Sequence, residues 1–132
     1  MSIKAKIVDI KKHEQLTKLV LNASGIELVI ISLELDESIK IGSKVELLVK
    51  ATNVLISKKP LEEISVQNQF PAKITNIERG EILVNITLDF CGNSLESILL
   101  KNSFINLNLQ EEDIVNVFIN SSDISILRVL ND

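Results

Sequence analysis

Along most of this chain Ile, Leu and Val alternate with Lys, Asp, Glu, Ser and Asn, as in Ile3-Lys4-Ala5-Lys6-Ile7. A two-residue period puts the apolar side chains on one face of an extended strand. In the first half the pattern predicts strands over Lys4–Ile10, Lys18–Asn22, Glu27–Leu33 and Lys44–Lys50, with a short one at Val54–Ser57. In the second half it predicts Ala72–Glu78, Ile82–Leu88, Leu95–Leu100, Ile114–Asn120 and Ile124–Val129. The stretches Ala23-Ser24-Gly25 and Glu78-Arg79-Gly80-Glu81 suit hairpin turns, where glycine can take a positive φ. One segment breaks the alternation. Lys101–Asp113, KNSFINLNLQEED, predicts one or two helical turns capped by Asn102 or Ser103, with Phe104, Leu107 and Leu109 over a barrel end. The first half has only the shorter Glu34–Gly42, ELDESIKIG, at that place.

The chain also repeats itself. Ala5-Lys6-Ile7-Val8-Asp9-Ile10 matches Ala72-Lys73-Ile74-Thr75-Asn76-Ile77 at an offset of 67. Leu16 and Leu83, Leu21 and Leu88, Gly25 and Gly92, and Leu33 and Leu100 keep that offset. Beyond them the offset is 70, relating Val45 to Val115, Val49 to Ile119, Val54 to Ile124 and Ile56 to Ile126. One three-residue insertion or deletion therefore relates two copies of one small unit. Five short strands with a helical turn between the third and fourth suggest an OB-like barrel. The expectation is an all-β chain of two tandem OB-like five-stranded small barrels, each with that helical turn. The first repeat spans residues 1–58, a surface linker 59–67 and the second repeat 68–132. A unit this small buries little core, so a pair, and further assembly, would offset its marginal stability.

Composition narrows the chemistry. The 132 residues carry a net charge of −4, and aromatics are 3%, with no Trp or Tyr. Neither a basic stripe nor a base-stacking platform is available, so a nucleic-acid partner is not expected. One cysteine, Cys91, and one histidine, His13, leave no disulfide framework and no zinc site made of side chains. His13 follows two lysines in a turn, without a nucleophile at defined spacing, so an enzyme is not expected. No apolar run reaches membrane-spanning length and the start lacks a signal peptide's apolar core, which points to the cytoplasm.

Two polar clusters interrupt the strand pattern. Lys50-Ala51-Thr52 precedes Asn53-Val54-Leu55-Ile56, and Ser65-Val66-Gln67-Asn68 precedes Gln69-Phe70-Pro71-Ala72. With the duplication, these segments resemble the Mop, or molybdate/TOBE, domain family in its tandem di-Mop, molbindin-type arrangement. Lys50-Ala51-Thr52 resembles the family's Lys-Ala-Ser/Thr strand end, and Ser65–Asn68 its Ser-Ala-Arg-Asn opening. Leu100-Lys101-Asn102-Ser103 resembles its Thr-x-x-Ser helix entry. The chain departs at several positions. Gln67 stands at the Arg position and Val66 at the Ala position. Asn120-Ser121-Ser122 is the second Lys-Ala-Ser/Thr without its lysine, and Met1-Ser2-Ile3 stands where the first repeat's opening would end.

The resemblance implies barrels that exchange strands or pack as a homo-oligomer, a dimer or trimer of di-Mop chains. It also implies binding of molybdate or tungstate at subunit or repeat interfaces, as ligand rather than cofactor, with no metal coordinated by side chains. The binding set it implies is Lys50, Ala51, Thr52, Ser65, Val66, Gln67, Asn68, Ser103, Asn120, Ser121 and Ser122. The chemistry suits that set. A tetrahedral dianion needs many N–H and O–H donors rather than full charge neutralisation, because unsatisfied charge in a dry site is costly. Lys50 would supply the cation, Ala51 room for backbone amides to approach, and Thr52 a hydroxyl. Ser103, at a helix start, would add a donor. The leading expectation is an oxyanion-binding protein for storage or homeostasis. The alternatives are a molybdate-sensing module acting through a transporter or regulator partner, and a structural oligomer that has lost its ligand.

Overall fold

The computed structural model describes residues 2–130. Ten strands form in chain order: β1 Ile3–His13, β2 Leu16–Ala23, β3 Ile26–Ser32, β4 Lys44–Val49, β5 Leu55–Ser57, β6 Asn68–Arg79, β7 Leu83–Phe90, β8 Asn93–Leu100, β9 Ile114–Ile119 and β10 Ile124–Leu130. One helix, α1, covers Lys101–Leu107. The alternation is met side by side with burial: in β2, Thr17, Leu19, Leu21 and Ala23 are buried, and in β7, Val84, Ile86, Leu88 and Phe90 are. These sets correspond at the offset of 67, so the two copies fill their barrels from the same positions.

The hairpins after β2 and β7 are also equivalent. Ser24 and Gly25 have φ of 53° and 92°, and Cys91 and Gly92 have 52° and 85°. Two successive positive φ values make the tight turn that matches strand twist, and glycine takes the second without strain. Gly80 differs from expectation, because it is not in the positive-φ region. It is needed for closeness: a Cβ there would lie 2.7 Å from the Leu83 carbonyl oxygen.

Each sheet draws a strand from the other half. One has the order β10-β4-β1-β2-β3 and the other β5-β9-β6-β7-β8. Thus β10 completes the first barrel and β5 the second. The two exchanged ladders share one register: Val49 pairs with Ile124 and Leu47 with Ile126, while Leu55 pairs with Phe118 and Ser57 with Asn116. The segments 44–57 and 114–130 therefore run antiparallel past one another. The ladder is interrupted where each makes a 3-10 turn, at Ala51–Asn53 and Ser121–Asp123, and its register shifts by a bulge between Ile126 and Arg128. A single cluster of buried side chains, from Ile3 and Leu21 to Phe70, Leu88 and Ile124, joins both halves.

The helical turn between third and fourth strands forms only in the second half. There α1 buries Phe104, and Leu109 follows at 2% exposure. Its N-cap is Leu100, without a side-chain capping bond, so neither Asn102 nor Ser103 caps it; both lie inside the helix. In the first half, residues 33–43 form turns instead. The Ser38 N–H donates to Asp36 Oδ1 at 2.9 Å and Ser32 Oγ donates to the Glu34 carbonyl at 2.5 Å. Such local bonds compete with helix formation, and the segment is three residues too short for a full plug.

Candidate functional site

The 3-10 turns put the two polar strand ends into one backbone form. Lys50 precedes its turn with φ −72° and ψ 132°, and Asn120 precedes the other with φ −64° and ψ 146°. The Asn53 N–H donates to the Lys50 carbonyl at 2.9 Å, and the Asp123 N–H to the Asn120 carbonyl at 2.9 Å. Lys50, Thr52, Asn120 and Ser122 are exposed, and Ala51 and Ser121 half-buried. Both turns therefore offer a side chain, a hydroxyl and free amides to solvent. Both lie in the gap between the two exchanged ladders, after Val49 and Ile119.

Each turn leans on the third strand of the opposite half, the first on β8 and the second on β3. Ser97 Oγ, wholly buried in β8, donates to the Val54 carbonyl at 2.6 Å and pins the exit of the Lys50 turn. On the other side Asn68, also wholly buried, serves β3. Its Oδ1 accepts the Val29 N–H at 2.7 Å and its Nδ2 donates to the Val29 carbonyl at 2.9 Å. Its carboxamide is thereby used up in closing the sheet edge, leaving only its main chain for a ligand.

Ser65 and Gln67 are exposed and Val66 half-buried. Asn68 pairs with Ile119, so the same register carried one residue further sets Gln67 opposite Asn120. The structure thus brings Ser65–Asn68 and Asn120–Ser122 together beside β3. Lys50–Thr52 lies across the crossing from them, and no hydrogen bond links Lys50 to either segment. Ser103 is exposed on α1 and bonds to none of these residues. With the cap at Leu100, Ser103 is the third helical residue, within the first turn whose amides lack intrahelical partners.

Two features went unnoticed in the sequence. Asp123 lies in the Ser121–Asp123 turn, and Asn53 is its counterpart in the first turn. A carboxylate beside the lysine-free wall repels an anion there and favours the Lys50 side. The turn comparison Asn53/Asp123 at offset 70 carried that signal. Ser2 Oγ, at the start of β1, is buried and has no hydrogen-bond partner. Ser2 also bridges to Ser94 by paired backbone bonds of 3.2 and 3.1 Å, the first half's answer to the Asn68–Val29 contact.

Residues 64–126 match the TOBE domain family. The matched segment, just under half of the chain, is a TOBE domain. The Molybdenum import ATP-binding proteins ModC of Brucella abortus, Brucella suis and Brucella melitensis are 38% identical to this chain over 79 residues. That match covers 59% of this chain and 22% of theirs, so the chain spans about a fifth of the length of these relatives. A structure of the cytoplasmic molybdate-binding protein ModG, with molybdate bound, superposes at a TM-score of 0.87. The superposition covers 96% of this chain and 94% of that one at 21% identity. The fold is therefore that of ModG, two OB-like barrels in tandem. No helix among the described residues is long and apolar enough to cross a membrane.

Proposed function

We propose that this chain binds a tetrahedral oxyanion of the molybdate and tungstate class, as a storage or homeostasis protein of the cytoplasm. The site uses Lys50, Ala51 and Thr52 as one wall and Ser65, Val66, Gln67 and Asn68 as the other. The walls belong to different copies in a homo-oligomer, because no bond brings Lys50 to Ser65–Asn68 within one chain. Asn120, Ser121 and Ser122 make a second, weaker wall. The observation that carries the reading is the Lys50 turn, which holds an ammonium, a hydroxyl and free amides outward in a fold shared with ModG. Bonds to a charged acceptor contribute about 1.5–3 kcal/mol each, so several neutral donors with Lys50 hold a dianion without the missing arginine. The role is binding, not catalysis.

Differential scanning fluorimetry tests it. Molybdate at about 100 times its Kd stabilises the protein by about 2.7 kcal/mol. Lys50→Ala should remove the midpoint shift, and sulfate at equal concentration should give less. No shift with saturating molybdate or tungstate, and none lost in Lys50→Ala, leaves a structural oligomer without a ligand. The identity to ModC favours a second reading, in which the anion-loaded chain regulates a transporter partner. Pull-down with and without molybdate separates the two, since a sensor's partner comes and goes with the anion.

A further inference from the structure

The two barrels close differently, and the difference leaves a groove of about 600 Å3 in the first. Its sheet ends in two strands that each pair on one side only, β10 on β4 and β3 on β2. The groove lies between these edges. Buried Leu19, Ile30, Ile39 and Ile124 form its floor, and exposed Leu33 and Leu127 its walls. In the second half the chain covers the corresponding place itself, with α1 packed on β7 and β8 and Phe104 turned inward. The first half, three residues shorter here, has no helix to do so.

The β3 edge shows what kind of group it accepts. The Asn68 carboxamide already pairs with both backbone groups of Val29, as a one-residue strand would. Pairing between β2 and β3 is regular from Val29 to Ile31, so Ile31 turns its N–H and C=O to the same side as Val29. Ile31 lines the groove, where this next rung stands open. At the lip are Glu34 and Asp36, and Asp36 is held ionised by the Ser38 N–H. Arg128 in the groove wall is already matched by Glu46 at 3.1 Å. The lip thus keeps a negative surplus.

We propose that this groove receives one extended peptide segment of a partner protein, adding a strand to β3 at Ile31. The segment has apolar side chains at alternate positions, which seat between Leu33 and Leu127, and a Lys or Arg that meets Glu34 and Asp36. Main-chain bonds at a sheet edge supply affinity, and alternate pockets supply selectivity. A second copy is the poorer occupant, since with a net charge of −4 it brings its own surplus of carboxylates to an acidic lip. The proposal goes beyond oxyanion binding: of its groups Ser122, at the end of the groove, belongs to that site, and Leu33 and Asp36 are the first-half counterparts, at the offset of 67, of Leu100 and Ser103.

The test uses the full chain and a capped peptide of about six residues, Val-Thr-Val-Thr-Val-Lys, a common strand length. Two controls are the same peptide N-methylated at alternate amides and one ending in Glu. Amide chemical shifts and hydrogen exchange at Ile31 are followed by NMR. Saturable binding with a Kd of about 0.1 mM or tighter is expected, with slowed exchange at Ile31. Leu33→Glu and Leu127→Glu alter exposed side chains and should leave the fold intact by circular dichroism. Each should weaken binding at least about tenfold, a difference of about 1.4 kcal/mol. The N-methylated peptide should not bind, and the Glu-ended one should bind more weakly. No saturable shift up to about 1 mM overturns the proposal. So does equal binding of the N-methylated peptide, or light scattering in which Leu33→Glu dissociates an oligomer that had covered the groove.

Discussion

Removing the Asn68 carboxamide is the sharpest test of how the two halves are joined. In Asn68→Ala the Val29 N–H and C=O both lose their partners, at 2.7 and 2.9 Å, in a place where Val29 is 7% and Asn68 0% exposed. A buried donor or acceptor left unsatisfied costs about 1–3 kcal/mol. Water entering the vacated space recovers part of that, so the expected loss is about 2–4 kcal/mol. Small domains lose about 4–8 °C of Tm per kcal/mol and larger ones about 2–4 °C, so the midpoint should fall by roughly 6–16 °C. Asn68→Asp should be no better, because a carboxylate still accepts the Val29 N–H but sets a second oxygen against the Val29 carbonyl. Urea unfolding gives the free-energy change, and hydrogen exchange at the Val29 amide gives the local one. A loss below about 0.5 kcal/mol, the level of an ordinary surface change, with unchanged Val29 protection would refute the clamp.

Three further outcomes follow from the same contacts. Ser97→Ala removes the buried 2.6 Å bond to the Val54 carbonyl and should cost about 1–3 kcal/mol by chemical unfolding. It should also weaken molybdate binding while the fold persists, since the Lys50 turn loses its anchor. Asp123→Asn removes the carboxylate beside the lysine-free Asn120–Ser122 wall and should tighten anion binding at that wall several-fold by isothermal titration, most at low salt. At Asp36, the Ser38 N–H holds the carboxyl below its ordinary 3.8. A depressed folded value means stability that is present above pH 3.8 and lost as the pH falls through the folded value. Asp36→Asn should therefore lower stability slightly above about pH 5, where the carboxylate's contribution is fully present, and converge with the parent in acid, which flattens the acid limb in thermal melts across pH.

Much of this architecture was legible in the pattern of residues. Alternation located all ten strands within a few residues, because the side-chain period of a strand is local and repeats wherever one face is buried. The Gly25–Gly92 match marked two equivalent turns, because a positive φ is a demand of the backbone itself. The polar clusters at Lys50 and Asn120 were also visible as equivalents, and the 3-10 turns give them nearly the same dihedrals. Other site features were not legible. Asn68 reads as a ligand donor by its motif, yet Val29, 39 residues away, takes both of its bonding groups. Ser103 reads as a helix cap, yet the helix starts two residues earlier.

By itself the sequence determined the all-strand class, the duplication, the positions of the turns and the residue types that could meet an oxyanion. All of these depend on neighbours along the chain or on comparison of one half with the other. Only the tertiary structure decided that β5 and β10 change places, that each turn leans on the third strand of the opposite half, and that the first barrel keeps an open seam. The reason lies in the duplication itself. Two nearly equivalent apolar strands fit two nearly equivalent edges, and no local pattern tells a strand's own barrel from its twin. The choice falls to contacts between the halves, where Asn68 binds Val29, Ser97 binds Val54 and Arg128 meets Glu46.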